Sequence, residues 1–91
     1  MADAAAELTV EHEHGLHLRP AADLVRLAAK FQSAVKVRNL TRGGVREANA
    51  RSLLEVTALG VNRGHTIRLT ASGDDAEAAV QALADLVRSM S

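Results

Sequence analysis

Ninety-one residues can bury only a modest core, and eleven Lys and Arg against eleven Asp and Glu leave no net charge. With Phe31 as the single aromatic residue, nothing draws the chain to a nucleic acid by charge or by base stacking, so that class of partner is set aside. The absence of cysteine excludes disulfides, thiolate catalysis and cysteine-based zinc sites, and no stretch approaches the roughly 18 apolar residues of a membrane span.

Residues 1–91 read as one domain, expected in the cytoplasm and without membrane contact. Residues 1–6 are short, acidic and alanine-rich, without the basic and apolar regions of a secretory signal, and are expected as a loose end. From 7 to 13 the chain alternates, with Leu8, Val10 and His12 on one face, which predicts a first strand. It delivers the chain to His14-Gly15-Leu16-His17-Leu18-Arg19-Pro20-Ala21-Ala22. Beyond it Asp23, Arg26 and Lys30 fall on one stripe of a helix, while Leu24, Val25, Leu27, Ala28 and Phe31 fill the rest. Proline is tolerated in a first turn, so Pro20 puts the helix start at Leu18 or Arg19 and His17 at or near the N-cap.

That placement has a chemical consequence. The first N–H groups of a helix lack internal partners and carry the positive end of its dipole, so the amides of Leu18 and Arg19 would meet an anion held on His17. Arg19 could add a charge-assisted bond, and Gly15 allows a backbone turn that a residue with a Cβ resists. A dianionic phosphoryl group fits this description.

Residues 33–40 alternate again, Val35 and Val37 against Lys36 and Arg38, then turn at 39–44 and return as a strand at 45–48. Ser52-Leu53-Leu54-Glu55 matches a capping box, in which the serine hydroxyl accepts from the N3 amide and the glutamate reaches back to the cap amide. Gly60 suits the position after a short helix over 53–59, with Val61 placed for the accompanying apolar contact. Residues 66–71 form a fourth alternating strand with Ile67, Leu69 and Ala71 inward. After 72–75 a last helix gathers Val80, Leu83, Leu86, Val87 and Met90 on one face, opposite Glu77, Gln81, Asp85 and Arg88. Strands and helices that each carry one apolar face, in the order β-α-β-β-α-β-α, predict an α+β sandwich of one sheet with helices on one side.

The run Gly15-Leu16-His17-Leu18-Arg19-Pro20-Ala21, a G-L-H-x-R-P-A signature set in this element order, resembles HPr, the histidine-containing phosphocarrier family of the bacterial phosphoenolpyruvate-dependent sugar phosphotransferase system. The resemblance spans about residues 7–90. It implies an open-faced β-sandwich, a four-stranded antiparallel sheet covered on one face by three helices. It also implies a monomeric carrier without cofactor, rather than a stand-alone catalyst. His17 would take a phosphoryl group on Nδ1 from phospho-enzyme I and pass it to sugar-specific IIA components, with Arg19 beside the phosphate. Relatives also serve nitrogen-linked or dihydroxyacetone-type phosphorelays. Ser52 matches a serine that a dedicated kinase phosphorylates in some bacteria, although Leu53-Leu54-Glu55 replaces the Ile-Met-Gly expected after it. Two positions depart further: Leu18 stands where a small or hydroxylated residue is commoner, and His14 where Asn or another polar residue is usual. Leu18, Leu53 and Leu54 are the candidate docking residues for partners, one of the last two belonging to the core.

A metal module is the rival reading. His12 and His14 would share a face of the first strand, with His17 three residues on and Glu11 and Glu13 beside them. The helical H-E-x-x-H pattern is absent, and an inward His12 is more simply an edge-of-core residue; no metal is assigned.

Overall fold

A computed structural model describes residues 3–43 and 45–90. The strands are β1 (Asp3–Thr9), β2 (Ala34–Asn39), β3 (Glu47–Asn49) and β4 (Thr66–Ser72); the helices are α1 (Leu18–Ala28), α2 (Leu53–Ala58) and α3 (Ala76–Ser89), with a 3-10 turn at Leu40–Arg42. All pairings are antiparallel and the order across the sheet is β1-β4-β2-β3. The last strand in sequence therefore sits inside the sheet. Its register places Ile67 opposite Leu8, Leu69 opposite Val37 and Ala71 opposite Val35, so the period-2 apolar residues of three strands meet on one face. These six are buried against Leu24 of α1, Val56 of α2 and Leu83 and Val87 of α3. The result is the open-faced α+β sandwich. Among the described residues no helix is long and apolar enough to cross a membrane.

Three boundaries differ from the sequence reading. Residues 3–6, expected as a loose end, belong to β1, where Asp3 pairs with Ser72 and Ala6 with Leu69; residues 1–2 lie outside the described part. Alanine has little strand preference of its own, but the ladder to β4 supplies the backbone bonds, and the small inward Ala4 and Ala6 leave room for the buried Ala76, Ala79 and Val80 of α3. At its other end β1 stops at Thr9, so His12 and His14 lie on a loop rather than on a strand face. The third strand is displaced from 45–48 to Glu47–Asn49: Ala48 is the inward residue, opposite Val37, and Val45 is left 90% exposed.

The ends of the helices show what the sequence pattern could and could not convey. Ser52 caps α2 as expected, its hydroxyl accepting the Glu55 N–H at 3.2 Å. The reciprocal half of the capping box is not made. The Glu55 carboxylate accepts instead from the Asn49 N–H at 3.0 Å, and the Ser52 N–H is taken by the Asn49 carbonyl at 2.9 Å. At α3 the cap residue Asp75 also turns away from its own helix. Its carboxylate accepts from the N–H groups of Gln32 and Ser33, at 2.9 and 2.8 Å, and from the Ser33 hydroxyl. It thereby ties the chain entering β2 to the start of α3.

The Ser33 hydroxyl, followed by these backbone donors, holds the Asp75 carboxyl below its ordinary range. A carboxyl depressed in the folded state stabilises the fold above its unfolded value, near pH 4, and this contribution is lost as the pH falls through the folded value. Asp75→Asn should therefore melt below the wild type at neutral pH. The difference should shrink on acidification below about pH 4, in melting curves followed by circular dichroism.

Candidate functional site

The loop between β1 and α1 is built by backbone contacts with the segment before β4. Val10 donates its N–H to the His65 carbonyl at 2.9 Å and accepts from the Gly64 N–H at 2.8 Å. Two further bonds fold the loop onto itself, from the Gly15 N–H to the His12 carbonyl at 2.9 Å and from the His14 N–H to His12 Nδ1 at 3.1 Å. Leu16, buried, donates its N–H to the Val61 carbonyl at 3.0 Å. Gly15 lies against the same peptide with φ of +63°, and a Cβ there would sit 2.1 Å from the Val61 oxygen and 2.7 Å from the Asn62 Cα. Both the turn and the close approach require glycine.

His17 is the N-cap of α1, with extended backbone at φ −71° and ψ −176°. Its ring makes no capping bond and is exposed. The first helical bond runs from the Ala21 N–H to the His17 carbonyl at 2.9 Å. Pro20 has no N–H, so the helix end offers the amides of Leu18 and Arg19 without helical partners. Arg19 is exposed and makes no ion pair among the described residues, whereas Asp23, one turn on, is paired with Arg26. An unspent imidazole, two free amides and an unpaired guanidinium thus share one helix end, an arrangement suited to an anion.

These groups rim an open cavity of about 560 Å³, together with His12, His14, Leu18 and Met90. The rings form a stepped row, with centroids 6.1 Å apart from His12 to His14 and again from His14 to His17. Among the described residues, no group of three or more His, Asp or Glu side chains stands where it could hold a metal ion. The strand face that would have aligned His12 with His14 ends before either residue.

Of the candidate docking residues, Leu18 is 65% and Leu54 80% exposed, while Leu53 packs against the core. The helices that carry them, α1 and α2, are in contact. Ser52 is half-buried, its hydroxyl committed to the α2 cap. Two supporting residues escaped the sequence reading. Asn39, buried, donates from Nδ2 to the Leu59 carbonyl at 3.3 Å and lies 3.1 Å from His65 Nδ1, which also accepts the Asn62 N–H at 3.2 Å. Asn39 and His65 so brace the segment on which Gly15 and Leu16 rest. A polar residue closing an alternating apolar strand was the available signal, but a lone Asn before a turn reads equally as turn chemistry.

Comparison with known proteins bears on this geometry. Residues 4–89 match the family model described as the PTS HPr component phosphorylation site. The chain is 49% identical over 82 residues to the multiphosphoryl transfer protein of Salmonella typhimurium, covering 90% of this chain and 22% of that one, so it spans about a fifth of such relatives. It is 44% identical over 80 residues to the phosphocarrier protein HPr of Haloferax volcanii, covering 88% of each. The structure superposes on HPr-C-His of Thermoanaerobacter tengcongensis with a TM-score of 0.87 at 37% identity, covering 96% of this chain and 93% of the other. It superposes on the phosphocarrier protein HPr of Bacillus anthracis with a TM-score of 0.85 at 31% identity, covering 94% and 98%.

Gly15 and Gly64 both have positive φ, but only at Gly15 would a Cβ strike backbone; around Gly64 there is open space. Denaturant melts should show Gly64→Ala costing about 1 kcal/mol, the conformational penalty alone. Gly15→Ala should cost about 2–3 kcal/mol, and only it should displace the amide resonances of residues 15–19.

Proposed function

The chain belongs to the HPr family of phosphotransferase-system phosphocarriers, and from that premise we propose that His17 is the residue on which it carries the phosphoryl group. The donor is phospho-enzyme I and the acceptors are sugar-specific IIA components, met in the cytoplasm by a monomeric carrier. The observation that supports this most is the state of His17: an N-cap residue whose ring caps nothing, beside two unpartnered amides and the unpaired Arg19.

In the loading step the P–N bond of the donor breaks, with its electron pair left on the donor nitrogen. A new P–N bond forms from the lone pair of His17 Nδ1. Negative charge spreads over the phosphoryl oxygens during transfer and remains on them afterwards. The Leu18 and Arg19 amides are set by the helix start before the group arrives, so they stabilise that charge without rearranging, and the exposed Arg19 guanidinium swings onto it. Nitrogen is a good leaving group from phosphorus once a second histidine attacks, so the same contacts serve unloading to IIA. Exposure of the ring is part of the chemistry, because a partner's imidazole must reach the phosphorus in line.

Partners dock on the exposed Leu18 and Leu54, with Leu53 anchoring the patch to the core. An apolar rim beside a charged centre excludes water from the transfer and leaves orientation to the charges. Ser52 is the regulatory position. A serine kinase acting there would place a dianion at the end of α2 bearing those leucines, and a phosphorylase would remove it.

Incubation with enzyme I and phosphoenolpyruvate should add one phosphoryl group by intact mass, labile in acid and stable in base. His17→Ala should take none, and a variant that still does would overturn the assignment. Arg19→Ala should keep the wild-type melting curve and slow transfer by about 10²-fold, the usual effect of removing one oxyanion donor. Addition of an ATP-dependent serine kinase should give a second, acid-stable group that Ser52→Ala lacks.

A further inference from the structure

A second cavity, of about 250 Å³, opens between the end of β2, the chain leading to β3 and the last turn of α2, lined by Asn39, Arg42, Arg46, Ala58 and Leu59. It shares no lining residue with the cavity beside His17. Asn39 is only 3% exposed, and its amide has a fixed orientation. Nδ2 faces two acceptors, the Leu59 carbonyl at 3.3 Å and His65 Nδ1 at 3.1 Å; the latter is an acceptor because it also takes the Asn62 N–H at 3.2 Å. Turning the amide over would set oxygen against both. Oδ1 is therefore the atom left over, buried and with no hydrogen-bond partner among the described residues. A buried acceptor in that state is costly until a donor reaches it.

The rim of the cavity is cationic. Arg42 and Arg46 are exposed and make no ion pair or hydrogen bond among the described residues. Arg42 lies over Gly60, where a Cβ would overlap its guanidinium. The carboxylates that share a groove with Arg46 are spent elsewhere, Glu47 on Arg38 and Glu55 on the Asn49 N–H. We propose that this cavity binds a small phosphorylated sugar or polyol. The arginine arms turn to admit the ligand and hold its phosphate dianion, each guanidinium fork matching phosphate oxygens. Asn39 Oδ1 accepts from a ligand hydroxyl. That acceptor sets the specificity, because a phosphate dianion alone would bring oxygen to oxygen, whereas a sugar phosphate carries both the anion and the donors. A nucleotide fits less well: no aromatic ring lines the cavity to stack a base, and the volume lies below the roughly 300–1,000 Å³ of sites for larger ligands. No residue of the site belongs to the His17 cluster, so the proposal stands apart from the carrier reading.

The test is a set of NMR titrations of the ¹⁵N-labelled chain at constant ionic strength, with glucose 6-phosphate, glucose and inorganic phosphate. Glucose 6-phosphate should shift, saturably, the backbone amides of residues 39–42, 46 and 58–60 together with the Asn39 side-chain amide, and glucose should not. Arg42→Ala and Arg46→Ala, both at exposed positions, should keep the wild-type melting curve and each weaken binding by about 10-fold or more. Arg19→Ala should bind like the wild type, which separates this cavity from the anion site at His17. The Asn39 contact is tested from the ligand's side, leaving the core untouched. Ethyl phosphate, which keeps the dianion and lacks a hydroxyl, should bind about 10-fold more weakly than glycerol 3-phosphate. Shifts confined to residues 15–20, no saturable shift at all, or unchanged binding by Arg42→Ala overturns the proposal. Equal binding of inorganic phosphate or ethyl phosphate also overturns it, leaving an unspecific anion patch only.

Discussion

Leu16 can donate its N–H to the Val61 carbonyl at 3.0 Å because Gly15 lies flat against the same peptide, where any Cβ would overlap the Val61 oxygen. The rest of the site depends on that approach. It fixes where the chain stands when α1 begins, and so where the His17 ring projects. Had the turn been made by side chains, the imidazole would inherit their rotamer freedom. Made by backbone against backbone, and braced from behind by Asn39 and His65, it carries His17 on a rigid mount while leaving the ring free.

That division between fixed backbone and free side chain recurs across the site. At a helix N-terminus a side chain usually accepts from the first amides and quenches them. His17 does not, and Pro20 removes one donor that would otherwise need a partner. The free amides, Arg19 and the imidazole are exposed and hydrated in the empty protein. An anion that arrives there exchanges their waters for charge-assisted bonds, with no internal partner to displace. Asp23 illustrates the complement: a carboxylate one turn from the site would oppose an anion, and its pairing with Arg26 blunts that opposition.

How much of this was legible in the sequence depended on whether a feature is local. The N-cap position of His17, the α1 start at Leu18, the Ser52 cap and the inward faces of β2 and β4 all follow from neighbours within a turn or two along the chain. The misread elements involve partners far away in sequence. Residues 3–6 look like a loose alanine run until β4 is there to pair with them, and Val45 looks like a strand residue until Ala48 is seen opposite Val37. Glu55 found a competing donor in Asn49, and Asp75 found Ser33, 42 residues away. Neither choice is visible in a spacing rule. The histidine row behaved the same way. Alternation placed His12 and His14 on a strand, but the strand ended at Thr9 and the loop turned His14 toward His17 instead.

The order β1-β4-β2-β3 sets a schedule for the growing chain as it leaves the ribosome. Of the four described strands β1 is made first, yet its neighbour in the sheet is β4, the last of them to be synthesised. Until residues 66–72 emerge, the N-terminal strand waits with an unsatisfied edge, while β2 and β3 can pair locally as a hairpin. Closure of the sheet, burial of Leu8 and Val10 and assembly of the loop that bears His17 are therefore late, non-local events. The hairpin that can pair locally lies away from the loop that bears His17, and that loop is complete only when β4 has paired between its two neighbours.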